Sequence, residues 1–187
     1  MGMTITEKIL ASRAGKSRVQ AGDLVFCKVD FSMGSDVTVP LSALSLKKMG
    51  TDKVHDPDRV AMVQDHFVPA KDIKSAELSK ATRDFAKTQP GVHYFEVGRA
   101  GICHTVIPDQ GLVVPGDVVV GADSHTCTYG ALGCFATGVG STDLAAVWAL
   151  GETWFRVPST IKVVYKGKPG PMIMGKDLVL ALVGRIG

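Results

Sequence analysis

Val118-Val-Val-Gly-Ala-Asp-Ser-His125 is the stretch on which the fold turns. Val118 to Ala122 is wholly apolar, which predicts a strand buried on both faces. Such strands belong to parallel sheets covered by helices on either side. Asp123, Ser124 and His125 follow at once. Residues leaving the carboxyl ends of strands in an α/β sheet face one crevice, where these sheets bind ligands. An imidazole beside a carboxylate has a fixed tautomer and a stabilised cation, which suits it to proton transfer near neutral pH.

Downstream, Tyr129 to Gly140 reads as a glycine-rich loop of small residues. Such a loop either lets backbone N–H groups approach an anion or serves tight packing alone. It spells neither a dinucleotide fingerprint nor a phosphate-binding loop, so a nucleotide site is not indicated. Ser141 caps a predicted helix over 142–153, Pro158–Tyr165 reads as a strand, and Lys166–Gly170 reads as a linker. A helix begins at Gly175-Lys-Asp177 and runs along Leu178–Val183. Nothing follows it to pack against, which predicts a truncated unit belonging to a longer polypeptide.

Upstream, Thr4-Ile-Thr-Glu7 has the form of a capping box before a helix over 8–14. Leu24–Phe31 alternates as a strand, and Gly34-Ser35-Asp36 reads as a turn. A helix over 39–49 starts near Pro40 and stops at Gly50. Arg59–Gln64 is a short strand that delivers Asp65 and His66. Asp72–Thr88 is an amphipathic helix with Leu78, Ala81 and Phe85 at helical spacing. His93–Phe95 is another strand, leading through Gly98 and Gly101 to a turn that carries His104. Strand and helix alternate throughout, so the fold class is α/β, three-layered αβα, with a mostly parallel sheet.

Composition narrows the function. A net charge of +3, with 6% aromatic residues and no basic run, excludes a nucleic-acid binder. No apolar run approaches bilayer length and the N-terminus lacks a signal-like core, so the expected location is cytoplasmic, away from any membrane. Cys27, Cys103, Cys127 and Cys134 form no Cys-x-x-Cys pair, and reduced thiols are expected. Taken singly, Asp65-His66 is commoner as a turn feature than as a dyad. His104 alone reads as a core histidine, and His55 and His93 as surface or packing residues.

Taken in order, Val-Gln-Asp65-His66, Gly98-x-x-Gly101-Ile-Cys-His104, Gly121-Ala-Asp-Ser-His-Thr126, Gly130-Ala-Leu-Gly133 and Thr137-Gly-Val-Gly140 resemble the aconitase superfamily. The resemblance runs from Thr6 to Gly187. It is nearest the branch of 3-isopropylmalate dehydratase large subunits and prokaryotic homoaconitases. It implies a first aconitase-like domain over 1–157 and the start of the next segment, cut short, over 158–187. It implies a hydro-lyase of leucine biosynthesis that isomerises a 2-hydroxy diacid by dehydration and rehydration. 3-Isopropylmalate is the first choice, with homoaconitate or dimethylmalate as alternatives.

The same resemblance assigns roles to residues. His66, oriented by Asp65, would protonate the departing hydroxyl. His104 with Asp123 would form a second imidazole–carboxylate pair. His125 and Ser124, with Asp123, would bind substrate, His125 bonding to it or to iron-bound water. A [4Fe-4S] cluster is implied in the complete protein, held by cysteines in later segments that do not occur here. No metal or cluster is therefore expected on these residues alone, and this piece alone is expected to be inactive. Asp36-Val-Thr-Val-Pro40 has proline where aconitases proper carry glutamine, which favours the dehydratase branch. The family's base lies in a swivelling domain that is a separate small subunit in this branch, so that subunit is the expected partner. A homodimer of the chain, a zinc hydrolase built on His66, His104 and His125, and a non-catalytic assembly domain are the competing readings.

Overall fold

The structure is a computed structural model that describes residues 2–187. Helix α1 (Ile5–Arg13) opens on the expected capping box. Thr4 Oγ1 accepts from the Glu7 N–H at 3.2 Å, and the Glu7 carboxylate accepts from the Thr4 N–H at 2.7 Å. Strand β1 (Leu24–Lys28) and strand β2 (Phe31–Ser35) are separate, so the single strand expected over Leu24–Phe31 divides at Val29-Asp30. The residues expected to turn, Gly34 and Ser35, lie inside β2. Gly34 is there because a Cβ would lie 2.8 Å from Val39 Cγ2. Turn-forming composition here reflects close packing, not a reversal.

Helix α2 (Val39–Lys48), strand β3 (Val60–Val63), helix α3 (Ile73–Lys87) and strand β4 (His93–Phe95) follow in alternation. The buried face of α3 is Ser75, Ser79, Thr82 and Ala86, while Ala81 is exposed and Leu78 and Phe85 are half-buried. Small side chains let this helix lie close to the sheet. Helix α4 (Cys103–Asp109) occupies the segment expected to turn, and strand β5 (Val118–Gly121) is the apolar strand. The expected loop over Tyr129–Gly140 is a correction. A 3-10 helix, Ser124–Leu132, leads into strand β6 (Phe135–Gly138). Helix α5 (Ser141–Leu150) is shorter than expected. Strand β7 (Glu152–Arg156) takes its last residues, and the strand expected at Pro158–Tyr165 is absent.

Strands β4-β3-β2-β5-β6 form a five-stranded sheet in which every pairing is parallel. A second sheet pairs β1 with β7 antiparallel, Phe26 opposite Trp154. Side-chain alternation sends Val60, Met62, Val118 and Val120 into one core and Ala61, Val63 and Val119 into the other. Helices α1, α2, α3 and α5 cover the first face. Helix α4 and the 3-10 helix cover the second. Trp148 of α5 is the largest fully buried side chain, and its indole N–H donates to Ser32 Oγ at 3.2 Å. Burying a side chain of that size stabilises the fold by roughly 3 kcal/mol.

The strand order matters for function. From β2 the chain moves outward through β3 to β4, then returns to the other side of β2 as β5 and continues to β6. The direction reverses between β2 and β5, and the crevice beyond the carboxyl ends of strands at such a point is where α/β sheets bind ligands. Beyond Val157 no described residue is buried. Helix α6 (Gly175–Ile186) keeps Val179, Leu180 and Val183 exposed. No helix among the described residues is long and apolar enough to cross a membrane.

Candidate active site

Three strand ends meet at the reversal. Asp36 follows β2, Asp65 and His66 lie just past β3, and Asp123 to His125 follow β5. The β3 end is anchored first. The Gln64 side-chain amide donates to the Ser79 carbonyl at 2.8 Å and to the Tyr94 hydroxyl at 3.0 Å. Asp36, fully buried, then accepts the backbone N–H of His66 at 3.0 Å and of Phe67 at 2.7 Å. Both oxygens of one carboxylate thus set the course of the loop that carries the first histidine.

The β5 end turns on two close approaches. Asp123 caps the 3-10 helix, accepting the His125 N–H on Oδ1 at 2.7 Å, while the Thr126 hydroxyl donates to the Asp123 carbonyl at 2.7 Å. A Cβ on Gly138 would lie 2.6 Å from that carbonyl oxygen, and one on Gly121 would lie 2.5 Å from Thr126 Oγ1. These glycines permit the turn to fold over β6. Within the glycine-rich stretch, Gly138 serves this close packing.

The expected site residues converge. His66 Nδ1 is hydrogen-bonded to Asp65 Oδ1, and Asp65 Oδ2 accepts the Cys103 N–H at 2.8 Å. His66 Nε2 lies 3.4 Å from Asp123 Oδ2. His104, one residue further along α4, places Nε2 2.9 Å from Asp123 Oδ1 and Nδ1 3.1 Å from the Tyr129 hydroxyl. Asp123 therefore has His104 hydrogen-bonded to Oδ1 and His66 facing Oδ2. His125 is the most open member, its side chain 82% exposed. Its Nδ1 lies 3.4 Å from Asp123 Oδ1 and 3.3 Å from Ser124 Oγ. His104 is largely buried with both ring nitrogens partnered, as expected of a core histidine, and one of those partners is the Asp123 that His66 also faces. His55 and His93 lie away from this cluster, as expected, with His93 Nε2 3.0 Å from the Asp58 carbonyl.

The electrostatics favour a charged His66. Burial opposes its charge, but the hydrogen bond to Asp65 and the negative charges of Asp65, Asp36 and Asp123 outweigh burial and raise its pKa. Asp123 behaves in the complementary way. Burial pushes it up, yet the bonds from His104 and from the His125 N–H hold it below the usual carboxylate value. Burial pushes the Tyr129 hydroxyl and the Cys103 thiol well up, so both keep their protons. The arrangement can hold a proton on His66, half exposed, and present it to a bound molecule.

Two residues escaped the sequence reading. Asp36 would have been found had β2 been recognised as the strand that delivers it. Tyr129 carries no local signal, since only the course of the 3-10 helix brings it under His104. A cavity of about 230 Å³ adjoins the site beside Asp65, walled by Val68, Ala100 and Ile102. A larger one, about 290 Å³, lies at the opposite end of the sheet among Lys28, Asp30, His55 and Arg59. It contains none of the clustered residues, whereas the smaller cavity is lined by one of them, Asp65.

The residues do not fit an iron–sulfur cage. Cys27 Sγ donates to the Leu10 carbonyl, Cys134 Sγ to the Val114 carbonyl and Cys127 Sγ to the Ser124 carbonyl. No three cysteines come together among the described residues. The three histidines do not form a zinc site either. Among the described residues, the group of three His, Cys, Asp or Glu ligand atoms within 4.8 Å of one another is Asp36, Asp65 and His66. Both Asp36 oxygens there already accept N–H groups.

Comparison with known proteins extends the geometry. The model of the aconitase family (aconitate hydratase) matches residues 7–187. The 3-isopropylmalate dehydratase large subunit of Moorella thermoacetica is 62% identical over the whole chain, and that of Aquifex aeolicus is 60% identical. Large subunit 1 of Pyrococcus furiosus is 57% identical. The chain spans 44%, 43% and 44% of the lengths of these relatives, respectively. With the match extending over nearly every residue and both strand-end clusters inside it, the chain belongs to the aconitase family.

Proposed function

We propose that this chain supplies the acid side of a cytoplasmic hydro-lyase that interconverts 3-isopropylmalate and 2-isopropylmalate by dehydration and rehydration. The observation that carries the reading is His66, its ring tied to Asp65 through Nδ1 and facing Asp123 through Nε2. Hydroxide is a poor leaving group. As the carbon–oxygen bond breaks, its electron pair goes to oxygen, which takes the proton from His66 Nε2 and departs as water. Asp65 holds the imidazole in the productive orientation throughout. Asp123 keeps His104 and the His125 backbone fixed, and Ser124 and His125 offer polar atoms to the substrate. Rehydration returns the proton along the same path.

Relatives named 3-isopropylmalate dehydratase large subunit, at 54–62% identity, support the substrate assignment. The family implies a [4Fe-4S] cluster in the complete protein, and the four thiols here are not its ligands. The base that removes the carbon-bound proton belongs to a small-subunit partner. Residues 1–157 form the first aconitase-like domain and 158–187 open the next segment. The exposed apolar side of α6 is covered by the remaining polypeptide, or by a second copy of the chain in its absence.

The test is to co-express the complete large subunit with its small subunit, reconstitute it anaerobically and assay competing acids. Turnover of 3-isopropylmalate in preference to homoaconitate and dimethylmalate supports the proposal. Preference for either alternative overturns the substrate, and no turnover of any of them overturns the lyase.

A further inference from the structure

We infer that Tyr129 is a positioning residue of this site: its hydroxyl donates to His104 Nδ1 and so holds that ring in the orientation that presents Nε2–H to Asp123. The inference rests on the lyase reading for its kinetic consequences but not for its geometry. Tyr129 is 1% exposed, and its ring meets that of His104 edge-on with centroids 5.4 Å apart. The hydroxyl oxygen lies 3.1 Å from Nδ1, while the opposite nitrogen lies 2.9 Å from Asp123 Oδ1.

The direction of each bond follows from what each group is able to do. A carboxylate only accepts, so the nitrogen facing Asp123 carries the hydrogen. The other nitrogen of a neutral imidazole is then a bare acceptor and needs a donor. Tyr129, buried and protonated, is the recorded partner of that nitrogen. The chain of bonds therefore runs from Tyr129 O–H to His104, and from His104 N–H to Asp123.

The consequence reaches the acid. With Oδ1 engaged by His104 and by the His125 N–H, Asp123 is held with Oδ2 3.4 Å from His66 Nε2. Without the tyrosine hydroxyl, His104 Nδ1 would be left without this donor. The ring would keep its hydrogen toward the carboxylate but lose the contact that fixes its orientation. The His104–Asp123 bond would weaken, the His125 N–H would remain on Oδ1, and His66 would face a less firmly placed counter-charge. Tyr129 touches no substrate in this scheme; it acts through His104.

The experiment uses the complete large subunit with its small subunit, labelled with ¹⁵N-histidine. Long-range ¹H–¹⁵N spectra should show His104 as the Nε2–H tautomer in the unmodified protein. In Tyr129→Phe the Nε2–H proton should lose its downfield shift, because the ring is no longer held against Asp123. The kcat should fall about tenfold, with KM within about twofold. A purely packing role would leave the Nε2–H resonance unchanged. An Nδ1–H tautomer in the unmodified protein, or identical His104 spectra in the variant, overturns the proposal. If Tyr129→Phe does not fold, 3-fluorotyrosine at position 129, a stronger donor of nearly the same shape, should move the His104 Nδ1 resonance, and an unmoved resonance overturns the proposal. Failure of the lyase reading would appear separately, as an unmodified complex with no turnover and an intact His104 signal.

Discussion

Two central strands carry an aspartate at each end, and the two ends of the sheet use them differently. Asp30 and Asp36 bracket β2, while Asp117 and Asp123 bracket β5. At the amino end, Asp30 and Asp117 converge on the Arg13 guanidinium, with N–O distances of 2.5 and 3.6 Å. Asp30 also accepts the Val118 N–H at 2.8 Å, tying α1 to β2 and β5. At the carboxyl end, Asp123 faces imidazoles instead, Asp36 anchors the backbone of His66, and Asp65 at the end of neighbouring β3 bonds to the His66 ring. A guanidinium stays charged across the accessible pH range, so its carboxylates form a fixed tie. An imidazole titrates near neutrality, so its carboxylates hold a proton ready to move. The same acidic residue is structural or chemical according to the base it meets.

The largest test of this contrast is His66→Ala in the complete complex. Loss of a general acid is expected to lower kcat by about 10²–10⁴-fold. The thermal midpoint should change by only about two degrees, because the side chain is 41% exposed. A variant that unfolds instead would place His66 with the structural ties. Next comes Asp123→Asn, expected to reduce kcat about a hundredfold, since one carboxylate serves both His66 and His104. Steady-state kinetics would check it, and an unchanged kcat would remove Asp123 from the chemical end.

A subtler effect is expected from Asp65→Asn. In the proposed mechanism the acid form of His66 is the active one for dehydration, so the rate should fall as pH rises through its elevated pKa. Removing Asp65, whose hydrogen bond raises that pKa, should move this alkaline limb to lower pH. The pair's contribution to stability has the same sign. It is complete below the ordinary imidazole pKa and lost as pH rises through the raised one. A limb that stays in place or moves upward would contradict the coupling. The smallest effect on rate is expected at the other end. Arg13→Met should leave kcat within about twofold while lowering stability by about 1–2 kcal/mol, since the ion pair is partly open to solvent. Urea denaturation would measure that loss.

The contrast also separates what could be read from the chain alone. The apolar run Val118–Ala122 disclosed the parallel sheet because a strand buried on both faces has no polar alternation to hide behind. Asp65, His66 and Asp123 were visible because each follows a strand directly. Strand β2 was obscured by its own Gly34 and Ser35, which local composition reports as a turn, although Gly34 is small because Val39 of α2 crowds it. Strand β6 was lost inside a glycine-rich stretch for a similar reason, since Gly138 must pass beside the Asp123 carbonyl. Strand β7 went unseen because its pairing with β1 joins residues more than a hundred positions apart. Tyr129 escaped because its role depends on a tertiary contact with a helix that precedes it.

One carboxylate bonded to the His104 ring and facing that of His66 has an evolutionary corollary. Positions 66, 104 and 123 do not contribute independent increments to fitness, because altering one changes what the others are worth. Drift at any of them should be followed by compensating change at its neighbours, so these positions are expected to be inherited as a block across descendants.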